Sequence, residues 1–112
     1  FMGSVVSYSN EMKMKQLGVK AHTLETFGAV SEETAIEMAE GVRKALATDI
    51  GFSSTGIAGP TGGTDEKPVG TIWLAFSTKE KTRTLKLSLA GSRKLNIEHT
   101  AINALNLIRL SL

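Results

Sequence analysis

The chain of 112 residues contains no cysteine, which excludes disulfides, thiolate nucleophiles, zinc–thiolate centres and iron–sulfur sites together. Aromatic residues make up only 5%, too few for a platform on which successive bases stack. The two histidines, His22 and His99, lie far apart and lack metal-ligand spacing. A dominant charge is also missing: 13 Lys and Arg oppose 11 Asp and Glu, so the net charge is only +2. That balance is not the basic stripe of a nucleic-acid binder. No run approaches the ~18 consecutive apolar residues of a membrane span, and no basic segment followed by an apolar one opens the chain. What remains, 41% hydrophobic and 21% charged residues, is the composition of an ordinary globular domain. The length fits one domain over residues 1–112, and the lack of cysteine is compatible with a cytoplasmic location.

The chain opens Phe1-Met2-Gly3-Ser4-Val5-Val6 with no polar lead-in, as the middle of a strand would, so a preceding segment is expected. Val5–Tyr8 is β-branched and aromatic and predicts a strand. Ser9 or Asn10 then caps a short helix through Leu17, with Gly18 as its stop. Lys20–Gly28 reads as a polar connection. Ser31 caps a helix whose Ala35, Met38, Ala39, Val42, Ala45 and Leu46 recur at three- and four-residue spacing. Glu32, Glu33, Glu37 and Glu40 are taken as its solvated face. Strands are predicted at 49–55, 69–77 and 82–89, the last two joined by the Lys79–Lys81 turn into an antiparallel hairpin. Ser92 caps a final helix with Ile97, Ala101, Ala104, Leu105, Ile108 and Leu112 on one face. The order β-α-α-β-β-β-α predicts an α/β fold, a three-layer α/β/α domain with a mixed sheet, incomplete on its N-terminal side.

The densest local signal is Gly56–Pro68, which gathers four of the eleven glycines and both prolines. Glycines in a loop after a strand let backbone amides approach an anion closely. The loop is neither a Walker loop, because Lys67 is out of register, nor a dinucleotide fingerprint, because the glycine spacing differs. A plain glycine-rich surface turn has the same composition. A second cluster, Tyr8-Ser9-Asn10-Glu11-Met12-Lys13, sits at a strand-to-helix junction. Its lysine would serve as a base if burial lowered its pKa, and is otherwise a solvated lysine beside a helix cap. Arg93, beside Gly91 and Ser92, is either an anion partner or a solvated arginine.

Val-Val-Ser-Tyr-Ser-Asn-Glu-Met-Lys (5–13), Gly-Ala-Val-Ser-Glu-Glu-Thr-Ala (28–35), Thr-Gly-Ile-Ala-Gly-Pro (55–60) and Glu-Lys-Pro-Val-Gly-Thr (66–71) stand in the order found in one family. The chain resembles the CinA C-terminal domain of competence/damage-inducible proteins, whose stand-alone forms are nicotinamide-nucleotide amidases. The resemblance implies hydrolysis of the carboxamide of nicotinamide mononucleotide to nicotinate mononucleotide and ammonia, with no cofactor and no metal. It implies a nucleophilic serine in a Glu-Ser-Cys-Thr-Gly-Gly-like motif upstream of the position matching Lys13, and that motif is not in this chain. The 112-residue chain alone is therefore expected to be inactive. Lys13 matches the family's proposed general base and Tyr8 the tyrosine beside it. Asn10, Thr55, Gly56, Gly59, Gly62 and Arg93 would line the nucleotide site. Ser92 departs from the family's usual Asp, which weakens the assignment of Arg93. The expected partner is a small nucleotide, with no nucleic acid and no membrane, and a homo-oligomer is compatible with all of this. The alternative is a nucleotide-binding or assembly module without turnover. A further expectation is that the glycine loop and Lys13 face one pocket mouth, both following parallel strands.

Overall fold

The computed structural model describes residues 1–112. Helix α1 (Asn10–Leu17) starts where the sequence places it: Ser9 Oγ accepts from the Met12 N–H at 3.1 Å. Gly18, at φ 69°, ends it by donating to the carbonyls of Lys13 and Met14. Helix α3 (Glu32–Ala45) is capped by Ser31, whose Oγ accepts from the Thr34 N–H and donates to the Gly28 carbonyl. Between them stands α2 (Ala21–Phe27), in the segment read above as a polar connection. Its start lacks a local side-chain cap. Glu37 of α3 takes that role, accepting from the Lys20 N–H at 2.8 Å and from the Thr23 hydroxyl at 2.6 Å. A carboxylate 17 residues away supplies what sequence inspection seeks next door. Glu37 is accordingly half-buried, and so is Glu32, which accepts from the Thr84 hydroxyl at 2.6 Å. The acidic face of α3 is thus bonded to its neighbours and is not simply solvated.

Strands β1 (Gly51–Gly56), β2 (Thr71–Ser77) and β3 (Thr82–Ser88) form one sheet in the order β1-β2-β3. Both pairings are antiparallel, with Phe52 opposite Phe76 and Leu74 opposite Leu85. The hairpin between β2 and β3 is closed by the Thr78 N–H donating to the Lys81 carbonyl at 2.8 Å. The α/β class and the antiparallel hairpin agree with the sequence reading, but the mixed sheet does not. Val5–Tyr8 joins no ladder. β-propensity describes fit to a pleated surface, and this segment has no neighbouring strand to complete one.

Helices cover both faces of the sheet. Ala35 and Ala39 of α3 pack on Ala75, with Trp73 alongside. On the other face Ile72, Leu74, Phe76 and Leu87 meet Leu107 of α4 (Arg93–Ser111). A third cluster joins Leu17, Val19, Leu24 and Met38, tying α1 and α2 to α3. The buried face of α4 is only partly the one predicted: Ala104 and Ile108 pack against the core as expected. Asn96, Leu107 and Ser111 are buried, whereas Ile97, Leu105 and Leu112 are 50%, 70% and 80% exposed. Polar side chains occupy the inner face because each finds a bond there: Ser111 Oγ donates to the Leu107 carbonyl, and Asn96 bonds the glycine loop.

The outer edge of β1 carries no strand, as expected of a sheet open on one side. Beside it lies a groove of about 890 Å³, lined by Phe1–Val5, Leu17, Met38, Val42, Gly51–Ser54 and Ile108 among others. No helix is long and apolar enough to cross a membrane.

Candidate functional site

Lys13 is the one buried ionisable side chain, at 6% exposure. Two turns fix it. The Ser9 cap starts α1 and its last turn is buried at Leu17, so the intervening position 13 faces inward. Its Nζ donates to the Ser7 carbonyl at 2.7 Å. No carboxylate pairs with it, since the only ion pair in the chain is the exposed Lys15–Glu11 contact. Burial without a counter-charge disfavours the ammonium and holds the pKa below its ordinary value of 10.5. An unpaired buried amine is unusual in a purely structural role. A lowered pKa is the direction that the sequence reading required of this lysine.

The residues beside Lys13 are placed differently. Tyr8 is 93% exposed, and its hydroxyl makes no hydrogen bond to Lys13 or to any other group. Asn10, the first residue of α1, is also exposed. Both side chains border the turn that holds the amine but do not engage it.

The glycine loop leaves β1 through Thr55, whose hydroxyl donates to the Ala29 carbonyl at 2.7 Å. Gly56 runs against β2: a Cβ there would stand 2.6 Å from Ile72 Cγ1 and 3.0 Å from the Thr71 carbonyl oxygen. Gly59 and Gly62 have φ of +93° and +95°, a region L side chains rarely adopt. A Cβ on Gly59 would also meet Val69 Cγ1 at 2.5 Å. The loop is tied to the body at both ends. At its base, Ile57 exchanges backbone bonds with Thr71 and Gly70. At its far end, Thr64 and Lys67 bond each other, and Lys67 Nζ donates to the Phe27 carbonyl. Between these anchors, residues 58–63 make no backbone–backbone hydrogen bond. Their non-proline amides therefore have no partner within the chain, which suits a loop that receives an anion.

Arg93 reaches this loop, but through its backbone: Nη1 donates to the Gly59 carbonyl at 2.9 Å. The sequence reading missed two further residues. Asn96 is fully buried, with Nδ2 donating to the Ala58 carbonyl at 3.0 Å and Oδ1 accepting from the Gly91 N–H at 3.1 Å. Lys67, judged only as a misplaced Walker lysine, is the loop's outer tether. Asn96 lies off the apolar face that the helical pattern marks, so the sequence carried no signal for it. Nothing in the sequence marked Lys67. A cavity of about 350 Å³ lies where the loop leaves the sheet, lined by Ser54, Thr55, Gly56, Ala58, Ile72, Ile97 and Thr100 among others.

Neither the groove beside β1 nor the cavity at the root of the loop is lined by both the loop and Lys13. No hydrogen bond links the loop to Tyr8, Asn10 or Lys13. The smaller cavity takes in the start of the loop but not residues 8–13, and the larger groove takes in neither segment. Parallel strands, whose carboxyl ends would form a common mouth, are absent from this sheet.

Comparison with known proteins matches residues 1–112 to the model of the CinA C-terminal domain. A CinA-like protein of Kosmotoga olearia is 55% identical over the whole chain, and a CinA-like protein of Cytophaga hutchinsonii is 53% identical. The chain spans only 27% of the length of each. Among solved structures, the competence/damage inducible protein CihA of Agrobacterium tumefaciens superposes with a TM-score of 0.90 at 38% identity. That match covers 95% of this chain and 66% of that one. A competence or damage-inducible protein of Enterobacter asburiae gives 0.90 at 36% identity, over 96% and 67%. With the whole length matched and the three layers in common, the chain belongs to the CinA C-terminal domain family.

Proposed function

We propose that the protein carrying this chain is an amidohydrolase that deamidates nicotinamide mononucleotide, with Lys13 as general base for a serine hydroxyl supplied from outside residues 1–112. The observation that carries the reading is the buried, unpaired amine of Lys13, whose pKa is held down by desolvation. An amide is a poor electrophile, so its hydrolysis needs an activated nucleophile, and a serine–lysine pair supplies one without metal or histidine. The neutral amine takes the hydroxyl proton as the serine oxygen attacks the carboxamide carbon. The ammonium so formed returns a proton to the departing nitrogen, and ammonia leaves. Water, deprotonated by the same amine, then splits the acyl ester, which frees the serine and releases the nicotinate nucleotide.

The glycine loop supplies the anion side of this reading, with the amides around Gly59 and Gly62 as donors to the phosphate and Gly56 and Thr55 at the loop's root. Arg93 has donors beyond the one spent on Gly59, and they extend the same cradle. The exposed Tyr8 and Asn10 side chains border the turn that holds the base and contact the substrate there. The test is deamidation by the full-length protein. Lys13→Ala should lower kcat by on the order of a hundredfold or more while leaving KM nearly unchanged. Residues 1–112 alone should release no ammonia. A fully active Lys13→Ala protein, or turnover by the 112-residue chain, overturns the assignment.

A further inference from the structure

Residues 58–63 of the glycine loop make only two hydrogen bonds, and both go to side chains of α4. The Ala58 carbonyl accepts from Asn96 and the Gly59 carbonyl accepts from Arg93. These are adjacent carbonyls, held from residues one helical turn apart, so the turn at 58–59 is gripped at two consecutive peptide units. Asn96 is fully buried, and its other amide atom accepts from the Gly91 N–H just before α4. One side chain thus bridges the segment leading into α4 and the loop leaving β1. Asn96 is the buried member of the pair, and a buried amide that loses a partner costs more than the bond itself is worth.

We propose that Asn96, with Arg93 as its companion, is a positioning residue that locks the Ala58–Gly59 turn and so holds the unpartnered amides of residues 58–63 in the arrangement that receives the anionic group of the ligand. Asn96 touches no substrate in this scheme and acts through the loop backbone. That the anion is a nucleotide phosphate rests on the function proposed above. That the two side chains order the loop does not.

The experiment uses the full-length protein and two variants. Asn96→Asp keeps the shape and the acceptor for Gly91 but sets a carboxylate oxygen against the Ala58 carbonyl. Arg93→Met releases Gly59 from an exposed position, so its fold does not depend on a buried site. Backbone ¹⁵N order parameters should lie near ~0.85 across residues 58–63 in the parent and fall below ~0.6 in either variant, with α3 and β2 unchanged. On nicotinamide mononucleotide, KM should rise about tenfold or more and kcat should change by less than about threefold. A purely structural role would lower the folded fraction and leave the KM of the folded enzyme unmoved. If Asn96→Asp does not fold, the loop order parameters of Arg93→Met carry the test, because its KM also reflects the direct phosphate contact proposed for this arginine. Loop order parameters at the parent values in the folded variants overturn the proposal, as does an unchanged KM with a mobile loop. A parent protein that does not deamidate the nucleotide overturns the function instead, and the order parameters still decide the clamp.

Discussion

The Nζ of Lys13 donates to the backbone carbonyl of Ser7 at 2.7 Å, folding the side chain of α1 back over the residues that lead into it. The helix that carries the amine therefore shields it, and its only observed partner is a neutral oxygen. A carbonyl satisfies one N–H without the electrostatic compensation that a carboxylate would give.

Stability should carry the mark of that burial. With the folded pKa below 10.5, the unfolded chain binds the extra proton between the lowered value and 10.5. Stability contributed by this group therefore rises with pH across that window and is complete above 10.5. Lys13→Met removes the charge and keeps the apolar stem. It should raise the unfolding free energy at pH 7 by on the order of 1 kcal/mol and lose that advantage above the window. Chemical denaturation of both proteins at neutral and alkaline pH measures the difference. A destabilised Lys13→Met protein at pH 7 would contradict the cost assigned to the buried amine.

Gly41, in the interior of α3, should defy its helix propensity. Gly→Ala within a helix ordinarily stabilises by about 0.8–1.0 kcal/mol. Here a Cβ would stand 1.8 Å from the Leu17 carbonyl oxygen, so α1 must move away from α3. Gly41→Ala should instead destabilise by about 2 kcal/mol or more, read as a lowered midpoint in denaturant. A midpoint at or above the parent's would mean that α1 does not pack this closely.

Two glycines of the loop should separate backbone strain from crowding. Gly62 has room for a methyl group, with Ile57 Cγ2 at 3.6 Å, so Gly62→Ala pays only for its positive φ, about 1 kcal/mol. Gly59→Ala pays a similar strain and also displaces Val69, which lies 2.5 Å from the new carbon. Thermal melting should rank Gly59→Ala well below Gly62→Ala, and KM for the nucleotide should follow the same order. Equal melting temperatures would show that Val69 gives way freely.

Ser31 should cost more than an ordinary cap. Its hydroxyl accepts from the Thr34 N–H and donates to the Gly28 carbonyl, in a buried position. Ser31→Ala should lower stability by about 1–2 kcal/mol, whereas the exposed cap Ser9→Ala should cost about half as much. Parallel urea titrations compare the two. A larger loss at Ser9 would reverse the assignment of the buried cap.

Much of this chain is local chemistry, and that part could be read directly. Ser9, Ser31 and Ser92 cap helices because a side-chain oxygen reaches an amide three residues on. Gly18 stops α1 because it adopts a left-handed conformation cheaply. The β2–β3 hairpin follows from two β-rich runs and a polar turn between them. Lys13 could be named as a base from its place in a motif, though only as one reading of two.

Other features depend on partners distant in sequence. Helix α2 exists where Glu37 caps it from another helix, and Val5–Tyr8 is not a strand because its backbone pairs with none. The inner face of α4 was misread at Ile97, Leu105 and Leu112 because helical periodicity counts apolar residues, whereas burial follows the contacts the sheet offers. Asn96 is buried because a loop carbonyl 38 residues away accepts its proton. The sequence by itself determined the starts of α1, α3 and α4 and the β2–β3 turn, since each rests on bonds spanning a few residues. Only the tertiary structure decided which strands pair, which face of α4 is buried and what grips the glycine loop. Those outcomes turn on which distant groups are left to satisfy one another once the apolar surface is buried.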